Sequence, residues 1–358
     1  MKLIMNLSMV GEKPTGLGVY SLVCARVLSS FRSGIIGRRG QWGSDLDAGD
    51  GSVVAPPGIS IGSGKFSALR RSLWLRRLNF DAETLVYSPT HHGLGNQYGQ
   101  VITLHDMICL RFPWQHPLQY LYFKFYMPRL LKRCRAVFTV SETTKADIAE
   151  TYGYPADGIH VVPNSVDSKT FRPGNVPPSS DFLLMVGARY SHKNVAEVLE
   201  SHASWSSHYR LVVTSCSGRY RRELDGLIAK LGLADSVQFY DYVSLNELIG
   251  LYQNCAALIY PSKWEGFGIP PLEALACGRP VIVSDIPVHR EVLSDSAIYV
   301  TLGSTESWVS AFEVLRDSLR VEQMVGMGRE RVQHFSSVNA LKMLRNALLT
   351  VEPDLEMR

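Results

Sequence analysis

Carboxylates, cations and glycines gather in a few short stretches of this chain, and the densest stretch runs from Tyr260 to Pro280. There Glu265 and Glu273, with seven residues between them, bracket Gly266, Phe267 and Gly268. Pro270 marks the first turn of a helix, and Gly278 ends it before Pro280 opens a strand. One carboxylate thus stands before the helix and the other one turn inside it, so both can accept hydroxyl hydrogen bonds from one elongated ligand. The amides of Phe267, Gly268 and Ile269 would face that ligand's phosphates, because a helix start favours negative charge. Two solvated glutamates on a helix cap is the bland alternative. Gly266 and Gly268, which specify an exposed backbone, weigh against it.

Three smaller constellations share the same setting. Arg189 and Lys193 follow a strand-like run ending at Val186, and two cations at a strand end can clamp a diphosphate and neutralise charge on a leaving group. Val101–Leu104 ends in His105 and Asp106; the histidine would project from the strand end, with Asp106 orienting the ring or capping the next segment. Gly16 and Gly18 open a helical pattern through Val19, Leu22, Val23 and Val27, a turn that admits phosphate. It falls short of a dinucleotide fingerprint, since Ser21 takes the third glycine's place.

These residues need elements to hold them. From Thr84 onward, short β-branched or aromatic runs alternate with helix-length amphipathic segments, which predicts parallel sheets flanked by helices, with ligands at the carboxyl ends of strands. Residues 173–180 are rich in proline and serine and read as a linker between an N-terminal domain, 1–172, and a C-terminal domain, 181–335. Gly34–Gly64 reads as a long loop. Residues 336–358 read as a final helix, by the spacing of Leu341, Leu344 and Leu348, packing back toward the N-terminal domain.

The 358 residues are 46% apolar and 20% charged, enough for two cored domains and too apolar for disorder. Six cysteines lie far apart with no Cys-x-x-Cys pair, which suits six thiols in a reducing compartment rather than zinc or redox chemistry. Apolar runs are strand-sized, so no spanning helix is expected. Charge is uneven: residues 1–175 carry 20 Lys and Arg against 12 Asp and Glu, while 176–358 carry 17 against 21. The basic half implies an anionic partner.

The whole chain resembles a family 4 glycosyltransferase of the GT-B fold, two Rossmann-like parallel-sheet domains facing across a cleft. The resemblance rests on the Glu-x7-Glu element from Glu265 through Gly278 and Pro280, together with Gly16 and Gly18, His105-Asp106, Ser141-Glu142, the run Val162 to Asp167, Lys193-Asn194, and Phe335-Ser336 before the last helix. It implies a retaining transferase using a nucleotide-sugar donor without a metal or other cofactor. Glu273 would hold the ribose hydroxyls, Glu265 the donor sugar, and Lys193 with Arg189 the diphosphate. Gly16 and Gly18 would serve phosphate and acceptor. His105 would contact the transferred sugar near its anomeric centre. Relatives often read Val-Gly-Arg where this chain has Ala188, which shifts Arg189 by one position. Overall the chain resembles bacterial polysaccharide mannosyltransferases, which implies GDP-mannose and a glycan or lipid-linked acceptor; a UDP-sugar or another GDP-sugar as donor, and a sugar-nucleotide-binding scaffold without catalysis, are the alternatives.

Competing chemistry is weaker. Asp45-Leu46-Asp47 has the spacing of a metal-diphosphate site but lies in an aperiodic stretch, and His91-His92 lacks further ligands at metal spacing. Basic stretches carrying Arg70, Arg71, Arg76 and Arg77, then Arg129 to Arg135, suit an anionic membrane surface better than nucleic acid, since no nucleic-acid-binding signature accompanies them. The expectation is a cytoplasmic protein that docks at the inner face of the cell membrane.

Overall fold

The computed structural model describes every residue except 13, 15, 39–45, 47–48, 65, 175–180 and 356–358. Asp45 and Asp47, and most of the proline-rich linker, fall outside the described residues. The chain divides into two units, Met1–Asn164 with Val338–Arg358, and Ser165–Ser337.

The first unit is built on seven parallel strands: β1 (Lys2–Asn6), β2 (Arg32–Gly37), β3 (Val53–Val54), β4 (Thr84–Ser88), β5 (Gln100–Leu104), β6 (Cys134–Thr139) and β7 (Ile159–Val161), in the order β3-β2-β1-β4-β5-β6-β7. The second has six: β8 (Phe182–Met185), β9 (Arg210–Thr214), β10 (Val237–Tyr240), β11 (Ala257–Tyr260), β12 (Val281–Ser284) and β13 (Ile298–Val300), ordered β10-β9-β8-β11-β12-β13. Strands such as β4, β5, β11 and β12 are buried along their full length, as expected where helices cover both faces of a parallel sheet. In each sheet the order reverses once, between β1 and β4 and between β8 and β11, and loops there leave toward opposite faces, opening a crevice at the strand ends.

Each unit has its own core. Leu3, Leu28, Phe31 and Tyr87 cluster in the first with Leu344 and Leu348 of the last helix, Ser337–Val351. Leu183, Val213, Ile259, Trp205 and Phe312 cluster in the second.

Two sequence expectations change. The stretch beginning at Gly34 is not loop throughout, because Arg32–Gly37 forms β2 beside β1. Its glycine is steric: a Cβ on Gly34 would lie 2.5 Å from the Gly51 carbonyl carbon. The second unit begins at Ser165, upstream of the linker segment. Phe171 is buried edge-on against Tyr252 at 5.8 Å, and Gln253 Nε2 donates to the Arg172 carbonyl at 2.8 Å, so the chain is anchored there before the prolines arrive.

Candidate active site

In the second unit the site grows from the two loops at the sheet's reversal point. After β8, Gly187 turns with φ 72°, a short 3-10 turn carries Ser191–Lys193, and Asn194, itself left-handed at φ 61°, starts the helix Val195–Glu200. After β11 the chain runs from Pro261 to Gly268. Lys263 N–H donates to the His192 carbonyl at 2.8 Å and fastens one loop to the other.

That clasp brings Lys193 and Glu265 together. Lys193 Nζ donates to Glu265 Oε1 at 2.5 Å and to the Tyr260 hydroxyl at 2.8 Å, and lies 4.8 Å from the centre of the Tyr260 ring. Glu265 and Tyr260 are buried, and the Lys193 side chain is 17% exposed. Burial alone would strip both charges. For Lys193 the neighbouring Glu265 and Tyr260 overcome burial and hold its pKa above the usual value; for Glu265 the ammonium overcomes burial and holds the carboxyl below its usual range. The result is a fixed cation whose third N–H remains for a ligand oxygen.

Gly268, at φ 93°, caps the helix Ile269–Ala276 beside this pair. Pro270 and Pro271 bring no N–H, so the helix start offers its donors at the preceding residues. The N–H groups of Phe267, Gly268 and Ile269 have no acceptor among the described residues. Beneath Gly268 lies His289, fully buried, whose Nδ1–H donates to the Ser284 carbonyl at 2.8 Å. That pairing puts a proton on Nδ1, and burial lowers the ring's pKa. A Cβ at position 268 would sit 3.5 Å from the imidazole. Phe267 meets Phe335 edge-on at 5.2 Å, and Val166 N–H donates to the Phe335 carbonyl at 3.0 Å, which ties the Val166 and Phe335 segments to the glycine loop.

Glu273, one turn along, is half-buried and accepts from the Tyr252 hydroxyl at 2.7 Å through Oε2. Burial raises its pKa to about 7, against the lowering effect of that hydrogen bond. Oε1 remains for a hydroxyl donor. Arg189 stands apart from both clusters: it is exposed, its guanidinium 5.7 Å above the Tyr190 ring.

His105, Gly16 and Gly18 belong to the first unit. His105 leaves the end of β5 and is buried; its Nε2–H donates to the Pro89 carbonyl at 3.0 Å, and Tyr20 meets its ring edge-on at 4.6 Å. Burial lowers its pKa to about 4, so it is neutral and Nδ1 is an acceptor. Asp106 accepts from Ile108 N–H at 3.0 Å and caps the next segment. Gly16, at φ 47°, precedes the helix Leu17–Val27, and a Cβ on Gly18 would press on Pro14 at 3.1 Å.

Sequence reasoning missed Tyr260, His289, Tyr252 and the burial of Arg71. Tyr260 was findable as the last residue of a predicted strand immediately before the glycine loop. His289 and Tyr252 lie inside amphipathic helices, where nothing in the spacing separates a supporting side chain from packing. Arg71 was read as a surface cation, yet it is 2% exposed and donates to the Ile59 carbonyl at 2.6 Å and to His92 Nε2 at 2.8 Å. Among the described residues no group of metal-ligating side chains forms a site, and no helix is long and apolar enough to cross a membrane.

Comparisons with known proteins bear on the family and the fold. Residues 166–321 match the glycosyl transferases group 1 family, and residues 44–170 match Glycosyltransferase Family 4. The chain is 36% identical over 330 residues to the O-antigen chain mannosyltransferase RfbU of Salmonella typhimurium, spanning 87% of this chain and 90% of that one. It is 25% identical over 300 residues to O-antigen chain mannosyltransferase B of Escherichia coli, spanning 77% and 78%. Among solved structures, sucrose-phosphate synthase from Thermosynechococcus elongatus aligns with a TM-score of 0.74 at 18% identity, over 98% of this chain and 100% of that one. That last likeness concerns the fold alone. The paired parallel sheets with their reversal points, and the identity to a curated relative along nearly the whole length, place the chain among the family 4 glycosyltransferases of the GT-B fold.

Proposed function

We propose that this glycosyltransferase moves mannose from GDP-mannose to a glycan or lipid-linked oligosaccharide during polysaccharide assembly, with retention at the anomeric carbon and without a metal ion. Two mannosyltransferases of O-antigen chains among its relatives support the sugar. The observation that carries the donor reading is the buried Lys193–Glu265 pair, 2.5 Å apart beside a helix start. As the bond between the anomeric carbon and the diphosphate oxygen breaks, charge grows on the leaving diphosphate. Lys193, already charged and held on two sides, meets that charge without reorganising, and the Phe267, Gly268 and Ile269 amides add fixed dipoles. Arg189 reaches in from its exposed position as the second cation.

Glu265, one oxygen committed to Lys193, offers the other to a sugar hydroxyl, while Glu273 takes a ribose hydroxyl. His105 contacts the transferred sugar through its unprotonated nitrogen. The acceptor oxygen attacks from the leaving-group side through an oxocarbenium-like state and gives its proton to a donor phosphate oxygen, so no side-chain base is required. The protein works in the cytoplasm at the inner membrane face.

The test is a panel of GDP-mannose, UDP-glucose and ADP-glucose in thermal unfolding, followed by product analysis in excess chelator. Donor at 100 times its Kd stabilises the fold by about 2.7 kcal/mol, so GDP-mannose should raise the midpoint most and yield an α-linked mannoside. Preferential protection by UDP-glucose would overturn the donor. Protection without turnover would leave a binding scaffold. Loss of activity in chelator would overturn metal independence.

A further inference from the structure

The first unit holds a cavity of about 630 Å³ that the donor site does not use. Its mouth is apolar: Phe66, Leu69 and Leu73 from the helix Ser67–Leu75 and its cap, and Leu118 from Pro117–Leu121, are all at least half exposed. Large apolar side chains on a surface, four in one rim, mark a place that an apolar partner covers.

The inner end is different. His92 lines the cavity and is 9% exposed, and behind it lies Arg71. A guanidinium only donates, so His92 Nε2 must accept from Arg71 and Nδ1 must carry the ring proton. Both that Nδ1–H and Arg71 Nε–H are buried without an acceptor among the described residues. The Arg71 charge has no carboxylate partner there either; its contacts are a backbone carbonyl and the imidazole. A buried N–H left without an acceptor on a residue that lines the cavity calls for an acceptor there. Arg76 adds a cation to the lining. Residues 51–80 and 107–141 together carry eleven Lys and Arg and no Asp or Glu. Leu17, between Gly16 and Gly18, borders the same cavity, and His105 lies close enough to His91, another lining residue, to act on its charge.

We infer that this cavity binds the lipid end of the acceptor, a long-chain lipid phosphate whose apolar chain lies along Phe66, Leu69, Leu73 and Leu118 and whose phosphate is taken by His92 and Arg76, with Arg71 fixing the His92 ring from behind. The inference rests on the reading of the protein as a transferase with a lipid-linked acceptor. A free phosphate lacks the chain, a fatty alcohol lacks the charge, and the cavity is built for both.

The experiment uses the purified full chain and calorimetric titration with dodecyl phosphate, dodecanol and inorganic phosphate, each below the micellar range. Dodecyl phosphate should bind at least tenfold more tightly than either of the others. The double substitution Leu69→Glu and Leu73→Glu, at exposed positions that leave the fold intact, should weaken it at least tenfold with an unchanged thermal midpoint. Arg76→Gln should reduce the preference for phosphate over alcohol. Equal binding of dodecanol and dodecyl phosphate, or full affinity in the double variant, would overturn the assignment. So would a double variant that loses only its adhesion to phosphatidylglycerol vesicles, since that result makes the rim a bilayer-docking surface. Protection by GDP-mannose, measured on the same samples, reports separately on the donor reading.

Discussion

A lysine and a glutamate removed from water each cost several kcal/mol, so Lys193 and Glu265 persist in a buried place because each neutralises the other at 2.5 Å. The pair is asymmetric in what its loss would do. Glu265→Gln removes the countercharge and leaves a buried ammonium bonded only to neutral oxygens, and equilibrium unfolding should show a loss of about 3–5 kcal/mol; a loss below 1 kcal/mol would mean the charge is solvated. Glu273 carries a second, pH-dependent signature. Burial lifts its carboxyl from the ordinary 4.5 to about 7. A ribose hydroxyl needs the carboxylate, so donor affinity should be full above pH 7 and weaken as pH falls through it, by up to about tenfold per unit. Fold stability has the opposite sign: a raised carboxyl pKa makes the free protein less stable as pH climbs from 4.5 to 7. Titration of Kd against pH, in the native chain and in Glu273→Gln, checks this; an equally steep profile in the variant would remove Glu273 from the account.

At the scale of elements, the reversal points between β1 and β4 and between β8 and β11 explain why the candidate residues sit where they do. Much of this was legible beforehand. Runs such as Thr84–Leu85-Val86 and Ala257–Ile259 are buried on both faces and read as parallel strands without further help. The helix start after Gly268 was equally plain from Pro270, whereas Gly266 and Gly268, read as exposed backbone, are buried. By contrast, β2 was illegible: Gly34 and Gly37 depress strand propensity, and the reason for Gly34 is the Gly51 backbone, seventeen residues away in the chain. That contact predicts that Gly34→Ala destabilises the first unit by about 1–3 kcal/mol, read as a lower midpoint in chemical denaturation. An unchanged midpoint would show that the strand and the Gly51 turn can move apart. Supporting side chains were hidden for a similar reason, since His289 and Tyr252 act through neighbours brought close only by the fold.

Across the whole molecule, the chain visits the first unit twice. Leu344 and Leu348 of the final helix fill a core otherwise made by the first strands and helix, with Leu344 1% exposed. Leu344→Ala should therefore cost the first unit about 2–5 kcal/mol, seen by calorimetry as a lowered transition, while nucleotide protection of the second unit persists; a single transition shifted as a whole would show that the units unfold together. The charge asymmetry follows the same division, with the cations concentrated where the acceptor side is proposed and the acids where the ribose and sugar hydroxyls would be held. What joins these scales is the demand that Lys193 be charged, buried and motionless before the donor arrives. Turnover of GDP-mannose by Lys193→Ala, with folding verified by its thermal midpoint, tests that demand most directly: the expected result is a fall in kcat of about 10²–10³-fold, and near-normal turnover would contradict it.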